Sequence, residues 1–346
     1  MALFLVLLLG LISIVTTLLM VLFSGKMIPY TDATGQVLPG SLSEKSWITI
    51  NGVEMGMIIK SRDIRKPVLL FVHGGPGMPE YWLNASYPAH LDELFTVVWW
   101  DQRGAGLSYR PGIPPETMTT AQLVADTIAV TQYLRQRFRQ DKIYLMAHSF
   151  GTYLGIQAVA QAPEFYHAYI GVAQSVNLVL SEELAYEFML KYYADDKKNL
   201  AQLKKAPYGT AGYERIRDQV MHEAGIGTTH KMYSVFTGIF LEVMKHREYM
   251  LKEKLQIWQG KAFSKNTALN EEFRQANLND LITRLEIPVI FFSGAYDYTV
   301  NYHLSEIYLE EVQAPEKHFY LFEDSAHSPI FEEPQAVLKI LGDLLA

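Results

Sequence analysis

The sequence contains no cysteine, and that absence removes disulfide frameworks, thiolate catalysis and cysteine-ligated zinc together. Any covalent nucleophile is therefore an oxygen or an amine. Basic residues are also scarce. The 30 Lys and Arg stand against 37 Asp and Glu, a net charge of -7, so no basic field exists to hold a nucleic-acid backbone. Nucleic acid is excluded as a partner. No stretch repeats at a fixed period and no low-complexity tract interrupts the chain, which excludes solenoid architectures. Charged residues make up 19% and hydrophobic residues 49%, enough apolar material for a large core and too much for a disordered chain. A length of 346 residues suits one α/β core carrying an insertion.

Charge is missing altogether from residues 1–25, where no Asp, Glu, Lys, Arg or His occurs. About 20 consecutive apolar residues cross a bilayer as a helix. A cleaved signal peptide would show a basic start, a shorter apolar run and small residues at the cleavage site. Here the run closes on Val21, Leu22 and Phe23. Residues 1–25 are therefore expected to be an uncleaved, single-pass membrane anchor, with a cleaved signal or a buried core helix as the rival readings. Lys26 is the one cation close to the segment, so the positive-inside rule gives no orientation. Residues 26–44, rich in Gly, Pro, Thr and Ser, read as a linker.

Beyond the linker, apolar or alternating runs predict strands over residues 47–50, 55–60, 68–72, 95–100, 142–146, 168–173, 288–293 and 318–322. Helical spacing predicts helices over 119–138, ending in a basic turn suited to the helix dipole, and over 150–160. Alternating strands and helices imply a mainly parallel sheet covered on both faces. The rhythm changes between 176 and 284, where strand-like runs give way to helical periodicity over 181–193, 213–224 and 237–256. The expected organisation is a catalytic domain of residues 45–175 and 285–346 with a helical cap, 176–284, inserted into it.

Ala147-His148-Ser149-Phe150-Gly151 sits where a strand turns into a helix and matches Gly-x-Ser-x-Gly except for its first position. Such an elbow strains the nucleophile's backbone and needs small neighbours so that strand and helix approach closely. Serine needs a base, and the base needs a carboxylate to orient it and stabilise its cation. In this fold both follow the nucleophile in the order acid, then histidine, in loops after later strands. Asp297 and His327 occupy those places. Asp297 alone could be a turn carboxylate capping the next helix, and Asp101 and Asp324 are the alternatives; position and partner together favour Asp297. His148, on the elbow, reads as supporting structure. Glycines in His73-Gly74-Gly75-Pro76-Gly77 allow the backbone to approach a substrate carbonyl, so the N–H groups of Gly75 and Phe150 are the expected oxyanion donors. No metal or organic cofactor is required.

The His-Gly-Gly-Pro-Gly run at 73–77 and the Asp-Gln-Arg-Gly-x-Gly-x-Ser run at 101–108 resemble the two signature loops of the prolyl aminopeptidase (proline iminopeptidase) family of α/β-hydrolases. The resemblance spans roughly residues 45–346. It implies the α/β-hydrolase fold, release of an amino-terminal residue, often proline, from a small peptide, and cap carboxylates that hold the substrate's amino group. Glu182, Glu183, Glu187 and Glu242 are the candidates for that role by their place on predicted cap helices. An ester or lipid acyl group near a membrane is the alternative substrate, and a non-catalytic, membrane-tethered binding protein the reading from another class.

Overall fold

The computed structural model describes residues 23–345 together with residues 10 and 13. The expected membrane segment falls almost entirely outside the described residues, among which no helix is long and apolar enough to cross a membrane. Eight strands form one sheet: β1 (Leu42–Ile50), β2 (Val53–Ser61), β3 (Val68–Val72), β4 (Thr96–Trp100), β5 (Ile143–His148), β6 (Tyr166–Val172), β7 (Val289–Gly294) and β8 (Lys317–Phe322). Every run predicted as a strand is one. β1 begins three residues inside the expected linker, because Leu42, Ser43 and Glu44 pair with Ser61, Lys60 and Ile59 of β2.

The spatial order is β1-β2-β4-β3-β5-β6-β7-β8. β1, β2 and β4 are joined by antiparallel pairings, and the pairings from β4 through β8 are parallel. β3, β4 and β7 are buried along their whole length, as strands covered on both faces must be. Helices Thr120–Phe138 and Phe150–Gln161 are part of the core cluster on one face through Leu123, Val130, Leu134, Leu154 and Val159. The Thr119 side chain caps the first of them by accepting the Gln122 N–H.

Strand order places the loops. β3 pairs with β5 through Val72 and Ala147, so the glycine loop after β3 lies beside the turn after β5. β7 pairs with β8 through Gly294 and Phe322, which sets the loops carrying Asp297 and His327 side by side. The strand order reverses around β3 and β5, and ligands of open α/β sheets bind outside the carboxyl ends of strands at such a reversal.

Between β6 and β7 the described elements are helical, from Leu178–Tyr192 to Leu278–Leu281. The long helix expected over 237–256 is instead broken. A wide turn at Phe236–Phe240 runs into Leu241–Lys245, and a new helix starts at Leu251. The interruption follows from Glu248, which is buried and takes the Ile28 N–H at 2.6 Å, the Tyr81 hydroxyl and the Lys60 ammonium at 3.3 Å. Those bonds hold residues 246–250 against the body and out of helical register.

Candidate active site

Ser149 lies between β5 and the Phe150–Gln161 helix with φ 53° and ψ -123°, a strained conformation for a residue with a side chain. The surroundings enforce it. The Ser149 N–H donates to the Val172 carbonyl at 3.0 Å, and a Cβ on Gly151 would lie 2.1 Å from the Val72 carbonyl oxygen and 2.6 Å from that of His73. Ala147 fits where the elbow pattern has glycine because the helix makes room for it. A Cβ on Gly155 would stand 2.9 Å from the Ala147 methyl, so the small residue has moved across the contact. Phe150 opens the helix, and its N–H belongs to the first turn, which has no preceding intrahelical acceptor.

His327 follows β8 and Asp297 follows β7. Asp297 is fully buried. Its Oδ2 lies 2.9 Å from His327 Nδ1, and its Oδ1 accepts the N–H groups of Thr299 and Val300 at 2.9 and 3.1 Å. The bond to Asp297 assigns the proton to Nδ1 and leaves Nε2 as the basic nitrogen. Ser149 and His327 line the same cavity. Asp101 and Asp324 are elsewhere: Asp101 is buried under its own loop, accepting the Leu107 N–H at 2.6 Å, and Asp324 is exposed.

The two glycine-containing loops brace one another. His73 Nε2 accepts the Gln102 N–H at 3.1 Å while Gln102 Nε2 donates to the His73 carbonyl at 2.6 Å. Burial holds the His73 pKa down at about 4, so the ring stays neutral and keeps that acceptor. Arg103 clamps Asp126 on the Thr120–Phe138 helix with two bonds, of 2.7 and 3.0 Å. Gly74 donates its N–H to Glu80 Oε1 at 2.9 Å and is thereby occupied. Gly75 lines the cavity beside Ser149.

His148 turns away from the nucleophile, as expected, but into a buried network. Its Nδ1 lies 2.8 Å from Glu80 Oε1 and its Nε2 2.7 Å from the His327 carbonyl. Two oxygen acceptors require two ring protons, so His148 is a cation paired with the Glu80 carboxylate. Burial works against that charge, yet Glu80 and the hydrogen bonds raise its pKa above the ordinary range. Burial likewise disfavours the Glu80 carboxylate, and the His148 charge overcomes it to hold its pKa below the usual value. Through this pair the glycine loop, the elbow and the histidine loop are tied to one another.

The cavity has two lobes of ≈310 and ≈300 Å³ that meet at Ser149. One is the more apolar, walled in part by Met78, Trp82, Leu83, Met221, Val235 and Ile239. The other sets Glu182, Tyr208 and Glu214 beside Leu178, Phe273 and Val300, while Arg217 and Arg274 line both lobes. Of the four glutamates picked from sequence, only Glu182 lines the cavity, and Arg217 Nε bonds both of its oxygens, at 2.9 and 3.0 Å. Glu183 and Glu187 are exposed, because the Leu178–Tyr192 helix buries Ser181, Ala185 and Met189 and turns these two away. Glu242 bonds Ser86 and Lys245 instead.

The model of the α/β hydrolase fold family matches residues 67–216. A probable aminopeptidase, YbaC, of Bacillus subtilis (strain 168) is 32% identical over 300 residues, covering 85% of this chain and 94% of the relative. The chain belongs to the proline iminopeptidase family of α/β-hydrolases. A proline iminopeptidase of Heyndrickxia coagulans is 24% identical over 81% of this chain and 90% of its own. The crystal structure of a proline iminopeptidase-related protein from Thermus thermophilus superposes with a TM-score of 0.62 at 20% identity, covering 88% of this chain and 97% of that one.

In this α/β-hydrolase, sequence reasoning passed over Asp218 and Glu80. Asp218 lines both lobes and bonds Arg217 Nη1 at 2.8 Å. It stands in a helix dense with charge, and no local pattern separates it from Glu214 or Glu223. Glu80 sits six residues past Gly74 at the start of a short helix, and its signal is visible only with His148 in view.

Proposed function

We propose that this family member is a serine hydrolase that removes the amino-terminal residue of short peptides through an acyl-enzyme on Ser149, tethered by a membrane anchor in residues 1–25. His327 Nε2 takes the Ser149 Oγ proton as Oγ bonds to the scissile carbonyl carbon. The carbonyl oxygen gains the charge and faces the N–H groups of Gly75 and Phe150. The imidazolium, held by Asp297, then returns its proton to the leaving amine, and water repeats the sequence to free the acid. The observation that carries this reading is the Asp297–His327 hydrogen bond facing the same cavity as Ser149 and Gly75.

The apolar lobe suits the side chain of the residue removed. Asp218 suits its amino group better than Glu182 does, because Arg217 engages both oxygens of Glu182 but only Oδ1 of Asp218. The apolar side chains of that lobe favour a second reading, an ester or lipid acyl substrate. Full-length protein assayed on proline and alanine arylamides and on acyl esters of several chain lengths separates the two. Arylamide turnover is expected, abolished by Ser149→Ala, with Asp218→Asn raising KM about 10-fold or more. Turnover of esters alone would replace the peptidase reading with the ester one.

A further inference from the structure

Phe236, Phe240, Met250, Leu251 and Leu255 are exposed, Phe236 to 61% and Leu255 to 49%. They are continuous rather than scattered. Phe236 stacks on Phe240 with centroids 5.4 Å apart, and Phe240 meets Trp258 at 5.6 Å. Leu251, Leu255 and Trp258 follow at i, i+4 and i+7 along the Leu251–Lys265 helix. A contiguous apolar surface of this kind marks a protein or membrane contact.

The amino-terminal part of the chain meets the body at this patch. The Gly25 N–H donates to the Arg247 carbonyl at 3.2 Å, Gly25 packs directly on the Met250 side chain, and the Phe23 ring lies 4.4 Å from Lys254 Nζ. The charge-free residues 1–22 precede that junction in the chain. The rim is basic. Lys26, Arg247 and Lys252 are exposed and make no ion pair among the described residues, whereas the neighbouring carboxylates are engaged: Glu242 by Lys245, Glu248 by Lys60 and Glu253 by Lys45.

We propose that this face of the cap lies on a lipid bilayer, with the apolar side chains in the interfacial region and Lys26, Arg247 and Lys252 against anionic headgroups. The inference rests on reading residues 1–25 as an anchor. It bears on catalysis because Ile239 of the same wide turn, and Val235 just before it, line the apolar lobe. The turn that walls the substrate chamber is the turn that touches lipid.

The absence of cysteine makes the test direct. Full-length Phe240→Cys, Leu251→Cys and Leu255→Cys, with Ile307→Cys and Leu321→Cys as exposed controls away from the patch, each carry one environment-sensitive fluorophore. The labelled proteins are reconstituted into phosphatidylcholine vesicles with and without phosphatidylglycerol. Blue-shifted emission and quenching by nitroxide lipid are expected at the three patch positions and at neither control. Phosphatidylglycerol should deepen the quenching, and a Lys26→Gln, Arg247→Gln, Lys252→Gln triple substitution should remove that gain. Solvent-like emission at the patch in protein that floats with the vesicles would overturn the proposal and leave the anchor standing. Failure to float would overturn the anchor and this inference with it. Thiol crosslinking between copies of the unlabelled Phe240→Cys, Leu251→Cys or Leu255→Cys protein would assign the face to a second chain instead.

Discussion

Backbone geometry alone sets Ser149 apart: its φ is 53°, and at the adjoining Gly151 the carbonyls of Val72 and His73 leave no room for a side chain. The placement of Ser149, Asp297 and His327 was legible from sequence because strand, turn and helix patterns fix where each sits, and among ten histidines only His327 follows a late strand before the final helix. The Glu80–His148 pair was not, since a buried ion pair is a relation between distant residues and leaves no periodic trace. It ties the His327 loop to the glycine loop. Glu80→Gln should therefore lower kcat by about 10- to 100-fold, as loss of a positioning partner does, with KM nearly unchanged; an unaltered kcat in well-folded protein would contradict the role. Glu332 offers a test by pH. It accepts the N–H groups of Ala326 and Ser328, on either side of His327, at 3.0 and 3.3 Å, and burial pushes its pKa up to about 7 from 4.5. The folded protein then keeps a proton that the unfolded chain has released. The stability tied to that proton is complete below 4.5 and is lost as pH rises through about 7. Urea midpoints of the native protein should fall across that window relative to Glu332→Gln, and parallel curves would show that Glu332 is already ionised.

At the level of elements, the unusual first position of the elbow is explained by its partner on the next helix. Ala147 and Gly155 share one small volume, with Leu145 and Tyr169 closing it. Gly155→Ala should destabilise the fold by about 1–3 kcal/mol through overpacking, and adding Ala147→Gly should restore part of that loss. Denaturation of both single variants and the double variant measures the coupling; strictly additive effects would mean that the two positions do not share the space. The strands were read correctly because buried parallel strands are short, continuous apolar runs bounded by turns. The cap was read less well. Its helical character was visible in the spacing of apolar residues, but the break at 246–250 comes from Glu248 reaching Ile28, Tyr81 and Lys60, contacts that no local window contains. For the same reason three of the four cap glutamates chosen from sequence face away from the cavity.

Across the whole molecule, the order of strands does what no single motif does. It brings a loop after β3, a turn after β5, a loop after β7 and a loop after β8 to one end of the sheet, and the cap closes a two-lobed chamber over them. Fold and triad follow from patterns that repeat along the chain. The lining of the chamber depends on how cap side chains pair with one another, as Arg217 with Glu182 and Asp218, and that is decided by packing. The central claim is that Ser149 forms the acyl-enzyme, and it is tested most directly by treating the full-length protein with a fluorophosphonate and locating the adduct by peptide mass spectrometry. The account predicts one adduct, on the peptide containing Ser149, absent from Ser149→Ala and slowed by His327→Ala. A folded protein that takes no label, or one whose label persists in Ser149→Ala, would contradict it.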